Sequence, residues 1–293
     1  MSPSSSQPQP LSGRVALITG ANTGIGLVTA RALARQGAQL FITCRNAATA
    51  QAALQQIRAE SGNPRVQSLV MDLADFTSVR ACVQAFLAHD LPLHLLVNNA
   101  GLAGGRGLTA SGFELAFGVN HMGHFLFTQL LQGRLLASAP ARIVTVASRA
   151  HFRATGLDWD ALRQRTRSVT GVTEYSNSKL ANVLFSAELG RRLAGSGVST
   201  YALHPGVVAS DVWRSVPWPI RPLMKLRMIT PEEGAKTTLS CATSAEVATD
   251  TGLYYDTGKP RTPSAMARDT TLAAQLWQHS TQWAGLTDAG AGG

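Results

Sequence analysis

The sequence has few cysteines, few acidic residues and no long apolar run. Its three cysteines, Cys44, Cys82 and Cys241, stand far apart and lack the spacing of a metal site or of a disulfide framework. No apolar stretch approaches the roughly 20 residues that a membrane helix requires, and the Ser/Pro/Gln-rich N-terminus lacks the apolar core of a signal peptide. These absences predict reduced thiols, a cytoplasmic location, a disordered leader over residues 1–11 and a flexible tail over 287–293.

The 17 acidic residues are outnumbered by 26 basic ones, for a net charge of +9. A basic chain can bind nucleic acid, but here the basic residues form no Lys/Arg block and no recognisable reading motif. We therefore predict no nucleic-acid partner and attribute the charge to a solvated surface and an anionic cofactor. The hydrophobic content of 45% predicts a compact enzyme, with one domain over residues 12–286.

Short apolar segments alternate with longer helical patterns from Arg14 onward. This alternation predicts an α/β fold, a Rossmann-like doubly wound parallel sheet of about seven strands flanked by helices. Ligands bind such sheets beyond the carboxyl ends of the strands. The predicted strands are 15–19, 40–44, 66–71, 93–97, 142–147, 199–203 and 253–255, and the predicted helices are 24–36, 47–60, 76–88, 111–137, 174–194, 231–244 and 269–283.

A glycine-rich loop joins the first strand to the first helix. Its spacing is G-x-x-x-G-x-G, in which glycines allow a tight turn and a close approach to a pyrophosphate at the helix start. A purely structural turn is the alternative, but the strand-loop-helix context favours dinucleotide binding. The residues assigned to it are Gly20, Asn22, Thr23, Gly24, Ile25 and Gly26.

The end of the second strand indicates which dinucleotide is bound. An acidic residue there would favour NAD, whereas a 2′-phosphate requires a nearby arginine. This chain has Cys44 followed by Arg45, so we predict NADP(H), the alternative being that Arg45 only ends a strand at the surface. Asp72 and Leu73, after the third strand, are predicted to meet the adenine.

Two further strand ends carry polar residues. Asn98, Asn99, Ala100 and Gly101 follow the fourth strand and fit the inner wall of a cofactor cleft better than a simple turn. Ser148 ends the fifth strand, and no Gly-x-Ser-x-Gly elbow of a hydrolase surrounds it.

The long helix between these strands contains Asn120, one residue beyond the apolar stripe, so that it requires partners if it is buried. His121 and His124 follow it, but no third ligand accompanies them, and no metal site is predicted.

Tyr175 and Lys179 begin another apolar helix, at positions i and i+4 of one face. A tyrosine with a reference pKa of about 10 transfers protons poorly near neutral pH unless its phenolate is favoured, and a neighbouring cation favours it. An ordinary exposed Tyr/Lys pair is the alternative for this motif alone.

The ordered set of glycine loop, Asn98-Asn99-Ala100-Gly101, Asn120, Ser148 and Tyr175-x-x-x-Lys179 resembles the short-chain dehydrogenase/reductase family over about residues 12–286. Three segments look like the retinol dehydrogenase branch of that family: those around Asn120 and Tyr175, and His204-Pro205-Gly206-Val207-Val208. Two features depart from the usual pattern: Ala147 stands where a second serine is frequent, and Ser148 and Tyr175 lie further apart than in many relatives.

This resemblance implies a role for each residue. Tyr175 would be the general acid/base, Lys179 would hold the nicotinamide ribose and lower the pKa of the tyrosine, and Ser148 would bind the substrate oxygen. Asn120 would anchor a water of the proton relay. The nicotinamide would be walled by Pro205, Gly206, Val207, Val208 and Ser210.

The resemblance thus implies an NADP(H)-dependent enzyme that interconverts an alcohol and its aldehyde or ketone. A catalytically silent NADP(H) sensor or scaffold, and a light-dependent double-bond reductase, are the alternatives.

Residues 212–229 form a proline-containing apolar segment that is predicted to cover the reacting end of the cofactor. A hydrophobic, retinoid-like or long-chain substrate would contact Trp213, Trp218, Leu223 and Met224, and the basic residues of the segment allow peripheral contact with a membrane. The alternative is a structural role or a subunit contact in a homo-oligomer.

Overall fold

The computed structural model describes residues 9–207 and 228–287. Within them, eight strands form one sheet in the order β3-β2-β1-β4-β5-β6-β7-β8, and only β8 runs antiparallel to its neighbour. The sheet confirms the predicted doubly wound fold and adds an eighth, two-residue strand. The strands are β1 Val15–Thr19, β2 Gln39–Cys44, β3 Val66–Val70, β4 Leu95–Asn98, β5 Ala141–Val146, β6 Val198–His204, β7 Leu253–Asp256 and β8 Lys259–Pro260.

The helices of the described residues lie close to their predicted positions, with one exception. The predicted helix 111–137 starts later, because Leu108 and Glu114 form a β-bridge before it, and it contains a π-helical turn, Gly118–Met122. The helices are α1 Gly24–Arg35, α2 Ala47–Ser61, α3 Phe76–Leu87, α4 Leu115–Phe117, α5 Gly123–Ala137, α6 Val172–Arg192, α7 Pro231–Thr243 and α8 Thr270–Trp283. None of these helices combines the length and the apolar character that crossing a bilayer requires.

Each face of the sheet has its own apolar core. One cluster joins the sheet to α1, α2 and α7, and includes Leu33, Ile57 and Cys241. The other joins it to α3, α5, α6 and α8, and contains an aromatic group in which Phe125, Phe185 and Trp277 pack with ring centroids 5.2–6.0 Å apart. Because both faces are covered, the central strands are buried along their whole length, which explains their continuous apolar sequences.

The strand order reverses between β1 and β4. The chain builds outward from β1 through β2 to β3, and then returns to place β4 on the other side of β1. Thr19 and Asn98 therefore end neighbouring strands at the same edge of the sheet, with a crevice between the loops that follow them. The predicted site residues from several motifs meet at this edge.

Candidate active site

The glycine loop is fixed to the loop after β4 by side chains. The Thr19 hydroxyl oxygen accepts hydrogen bonds from the backbone N–H groups of Asn99 and Ala100, each at 3.0 Å, and the Asn99 amide donates to the Thr19 carbonyl at 2.8 Å. Gly20 has φ +68°, and a Cβ on Gly26 would lie 2.3 Å from the Gly20 carbonyl oxygen. Only glycine allows this turn and this close approach of α1.

The N-terminus of α1 lacks the side-chain cap found in α2 and α7, the two other helices that pack on the same face of the sheet. In α2 and α7, side chains of Asn46 and Thr230 accept hydrogen bonds from the first-turn N–H groups. Thr23 stands at the N-cap of α1, its side chain makes no such bond, and the first turn contains no acidic residue. Free N–H groups and the helix dipole favour an anion, so these residues fit a dinucleotide pyrophosphate. Asn22 and Ile25 are half-buried beside this turn.

The residues predicted to contact the adenosine end lie along the same edge. Arg45 is exposed and forms no ion pair or side-chain hydrogen bond with any residue of 9–207 or 228–287, whereas Asn46 beside it caps α2. A guanidinium that no described residue engages fits a 2′-phosphate. Asp72 is half-buried and its Oδ1 accepts from the Ala74 N–H at 2.9 Å. The side chain of Leu73 belongs to the core, so only its backbone is available to a ligand.

Asn120 lies in the π-helical turn, where the Gly123 N–H bonds to the carbonyl of Gly118, five residues earlier. Its Oδ1 accepts from the Leu102 N–H at 2.9 Å, and its Nδ2 donates to the Leu102 carbonyl at 3.0 Å and to the Ser178 hydroxyl at 2.9 Å. The side chain thus ties the loop after β4 to the start of α6. The implied water-anchoring role of Asn120 stays a prediction.

Ser148 and Tyr175 are hydrogen-bonded through their hydroxyl groups. Ser148 follows β5 and caps a 3₁₀ turn, Arg149–Arg153, by accepting the Ala150 N–H at 3.1 Å. Burial raises the pKa of Tyr175, and the bond to Ser148 opposes that rise. The phenol is therefore protonated near neutral pH, which differs from the expectation that its pKa is lowered.

Lys179 is buried one helical turn after Tyr175. Its Nζ donates to the Val146 carbonyl at 2.9 Å and lies 5.7 Å from the centroid of the Tyr175 ring. Burial lowers the pKa of Lys179 to about 7, because the ammonium loses its hydration. A Cβ on Gly101 would lie 3.1 Å from the Asn120 Oδ1 and 3.6 Å from the Lys179 Nζ, so three of the predicted motifs meet at one point.

The remaining predicted residues make other contacts. Asn98 is buried, and its Nδ2 donates to the Thr128 hydroxyl at 2.9 Å. Its side chain therefore links the end of β4 to α5. Pro205 is buried, Gly206 has φ +96°, and the Val207 carbonyl accepts from the Ile229 N–H at 2.9 Å. Val208, Ser210, Trp213, Trp218, Leu223 and Met224 lie outside the described residues.

The structure also assigns contacts to residues that sequence analysis left without a role. Thr19 links the two loops of the crevice, and Ser178 links the Asn120 amide to the Tyr175 carbonyl, to which it donates at 2.7 Å. His124 contacts both Thr19 and Asn120. The sequence signal that could have indicated these contacts is a polar residue within an apolar segment, such as Thr19 at the end of β1.

Comparisons with known proteins agree with this geometry. The family model for short chain dehydrogenase matches residues 14–158. Human retinol dehydrogenase 12 is 43% identical, with 94% of this chain and 88% of the relative covered, and human retinol dehydrogenase 11 is 41% identical, with 94% and 87% covered. A solved structure of an uncharacterised protein from Mycobacterium paratuberculosis has a TM-score of 0.76 at 33% identity, covering 95% of this chain and 96% of that one.

The Pseudomonas aeruginosa RhlG/NADP complex has a TM-score of 0.67 at 27% identity, covering 86% of this chain and 97% of that one. With its doubly wound sheet, glycine loop and Ser148, Tyr175 and Lys179 at one edge, this chain belongs to the short-chain dehydrogenase/reductase family of oxidoreductases. Within that family it is a member of the retinol dehydrogenase branch.

Proposed function

We propose that the protein is an NADP(H)-dependent oxidoreductase that interconverts a hydrophobic alcohol and its aldehyde or ketone. The observation that carries this proposal is the hydrogen-bonded pair Ser148 and Tyr175, with Lys179 buried on the same face of α6. All three lie at the sheet edge that also carries the glycine loop.

When bound, the dinucleotide supplies or accepts a hydride. In the direction of reduction, Tyr175 donates its proton to the substrate oxygen, and in oxidation it removes the proton of the alcohol. Ser148 holds that oxygen beside the phenol. Lys179 would hold the ribose of the bound dinucleotide. The hydrogen bonds of Asn120 to Leu102 and Ser178 hold the loop after β4 against the start of α6.

The residues of the crevice would hold the dinucleotide along its length. The N–H groups of the glycine loop would bind the pyrophosphate, and Asp72 with the backbone of Leu73 would meet the adenine. Asn99, Ala100 and Gly101 would line the crevice between β1 and β4. The nicotinamide is proposed to be walled by Pro205, Gly206, Val207, Val208 and Ser210.

Selection of NADP(H) over NAD(H) is proposed to rest on Arg45. A charge-assisted hydrogen bond to the 2′-phosphate contributes about 1.5–3 kcal/mol, so Arg45→Ala should weaken NADPH binding by at least about tenfold and leave NADH binding nearly unchanged. Dissociation constants for both dinucleotides measure this difference. Arg268→Ala, which removes another exposed arginine, is the matched control, and an equal loss for NADPH and NADH would contradict the assignment.

A hydrophobic substrate is supported by the names of the relatives, retinol dehydrogenases 11 and 12, and by the apolar sequence of residues 212–229. NADPH oxidation with a panel of retinal, long-chain aldehydes, steroids, quinones and small ketones tests the proposal. Preference for small polar ketones would contradict the substrate class. Dinucleotide binding without turnover of any carbonyl would favour a silent sensor, and turnover that required illumination would favour a double-bond reductase.

We also propose a cytoplasmic location, supported by free, buried thiols at Cys44, Cys82 and Cys241. Burial raises the pKa of each thiol, that of Cys44 to about 11, which keeps these side chains unreactive. The basic residues of 212–229 support peripheral contact with an anionic membrane surface as the route of a hydrophobic substrate.

A further inference from the structure

His124 is a buried histidine, 2% exposed, that touches two parts of the site. Its Nδ1 lies 3.1 Å from the main-chain carbonyl oxygen of Asn120, and its Nε2 lies 2.8 Å from the hydroxyl oxygen of Thr19. These two partners are 101 positions apart in the chain. One imidazole therefore bridges the π-helical turn that carries Asn120 and the strand end that begins the glycine loop.

The direction of each hydrogen bond follows from its partner. A carbonyl oxygen only accepts, so Nδ1 of His124 carries the proton and donates it to Asn120. The pKa of His124 is lowered to about 4 by burial, so the ring is neutral at physiological pH and Nε2 is an acceptor. The Thr19 hydroxyl consequently donates to Nε2 at 2.8 Å, a much better contact than its 3.5 Å approach to the Val97 carbonyl.

The orientation of the Thr19 hydroxyl determines what its oxygen can hold. With its hydrogen directed to His124, both lone pairs are available to the N–H groups of Asn99 and Ala100, each at 3.0 Å. Those N–H groups fix the loop after β4 against the glycine loop. The ring of His124 thus stabilises one arrangement of the dinucleotide crevice through Nε2, and the turn of Asn120 through Nδ1.

We propose that His124 is a positioning residue that couples the dinucleotide crevice to the π-helical turn of Asn120 through two separable hydrogen bonds, one for each ring nitrogen. The inference rests on the proposed function, because it assigns this residue to the same site. It predicts that the two bonds have different kinetic consequences. Loss of the Nε2 bond should affect dinucleotide affinity, and loss of the Nδ1 bond should affect turnover.

Two substitutions separate the bonds. His124→Asn keeps an N–H donor near the position of Nδ1 and loses the contact with Thr19, whereas His124→Gln places an acceptor near the position of Nε2 and loses the donor to Asn120. We expect His124→Asn to raise the NADPH dissociation constant on the order of tenfold, with kcat at saturating NADPH within about twofold of the wild type. We expect His124→Gln to show the opposite pattern, a kcat on the order of tenfold lower with NADPH affinity within about twofold.

His121 provides the control for replacing a buried histidine in this part of the chain. It is 1% exposed, and its Nε2 lies 3.0 Å from the Ser280 hydroxyl, away from the crevice. His121→Asn and His121→Gln should also lower thermal stability, but they should change neither NADPH affinity nor kcat. Melting temperatures, NADPH dissociation constants from fluorescence titration and kcat are measured on all five proteins.

Opposite patterns for His124→Asn and His124→Gln would establish the coupling. Parallel changes in affinity and kcat that follow the melting temperatures would show that His124 is merely structural and would overturn it, as would wild-type values for both variants. If the wild type turned over no carbonyl, the proposed function would fail separately. NADPH affinity would still decide the inference, because only the Asn variant should lose it.

Discussion

Replacement of Lys179 should reveal the cost of burying its charge. Lys179→Met removes the ammonium and keeps an unbranched side chain of similar length. The Val146 carbonyl, which accepts from the Lys179 Nζ at 2.9 Å, retains the Asn182 Nδ2 at 3.3 Å as a partner. The substitution therefore removes a buried charge without leaving a buried acceptor unpaired, and it should raise stability near neutral pH.

The pH dependence of this effect follows from the pKa of Lys179, which burial lowers from 10.5 to about 7. Above pH 10.5 the lysine is neutral in both the folded and the unfolded chain, and it has no pH-dependent effect. As the pH falls toward 7, the unfolded chain binds the proton and the folded chain does not, so the wild type is progressively destabilised. Between about pH 9 and about pH 6 the cost rises by about 2–3 kcal/mol.

Free energies of unfolding of the wild type and of Lys179→Met, from urea titrations at pH 6 and pH 9, measure the effect. The stability gained by the variant should be about 2–3 kcal/mol larger at pH 6 than at pH 9. Any difference in packing between the lysine and methionine side chains is the same at both pH values, so it cancels in this comparison. Lys236→Met, which removes an exposed lysine of α7, is the control and should show little change with pH. A gain that is independent of pH, or larger at pH 9, would refute this account of Lys179.

Three further predictions concern the site and its support. Tyr175→Phe should abolish turnover and preserve NADPH binding, since only a transferable proton is removed, and a matching loss of affinity would contradict that role. Trp218→Ala should raise KM for bulky apolar aldehydes and leave NADPH affinity unchanged, which steady-state kinetics can measure; an unchanged KM would assign the segment to structure or assembly. Asp256→Asn should lower stability at pH 7 by about 1–2 kcal/mol, because it weakens the bonds from the half-exposed Arg149 and Arg261. Burial would raise the pKa of Asp256, but its hydrogen bonds from the two arginines lower the pKa overall. The stability difference from the wild type should therefore shrink only as the pH falls below about 4, as denaturation curves can show.

The sheet was predictable because the sequence features that indicate each strand lie within that strand and the turns beside it. Apolar runs such as Val15–Thr19 and Leu95–Asn98 are buried on both faces, and turn residues separate them from periodic helices. The site motifs were predictable for a related reason, since the carboxyl ends of parallel strands meet at one edge. What the sequence did not predict depends on contacts between distant segments.

The π-helical turn is one such feature. A Cβ on Gly118 would lie 2.4 Å from Thr109, and one on Gly123 would lie 2.5 Å from the Leu73 carbonyl, so neighbouring loops approach the turn closely at two glycines. Helical periodicity alone predicts a regular helix over these residues. Likewise, the pairing of Asn98 with Thr128 and that of Lys179 with Val146 each join separate elements, and neither leaves a pattern in the local sequence.

The proton affinities of the site show the same dependence on tertiary structure. The sequence places a phenol and an ammonium on one helical face, which alone predicts an acidified tyrosine. Burial changes the order of their deprotonation, because it raises the pKa of Tyr175 and lowers that of Lys179 to about 7. Near neutral pH the phenol keeps its proton while the lysine is only partly charged. Tyr175 is thus protonated and able to act as an acid. An anion bound in the crevice would favour the charged form of Lys179, so the protonation of Lys179 depends on whether the crevice is occupied.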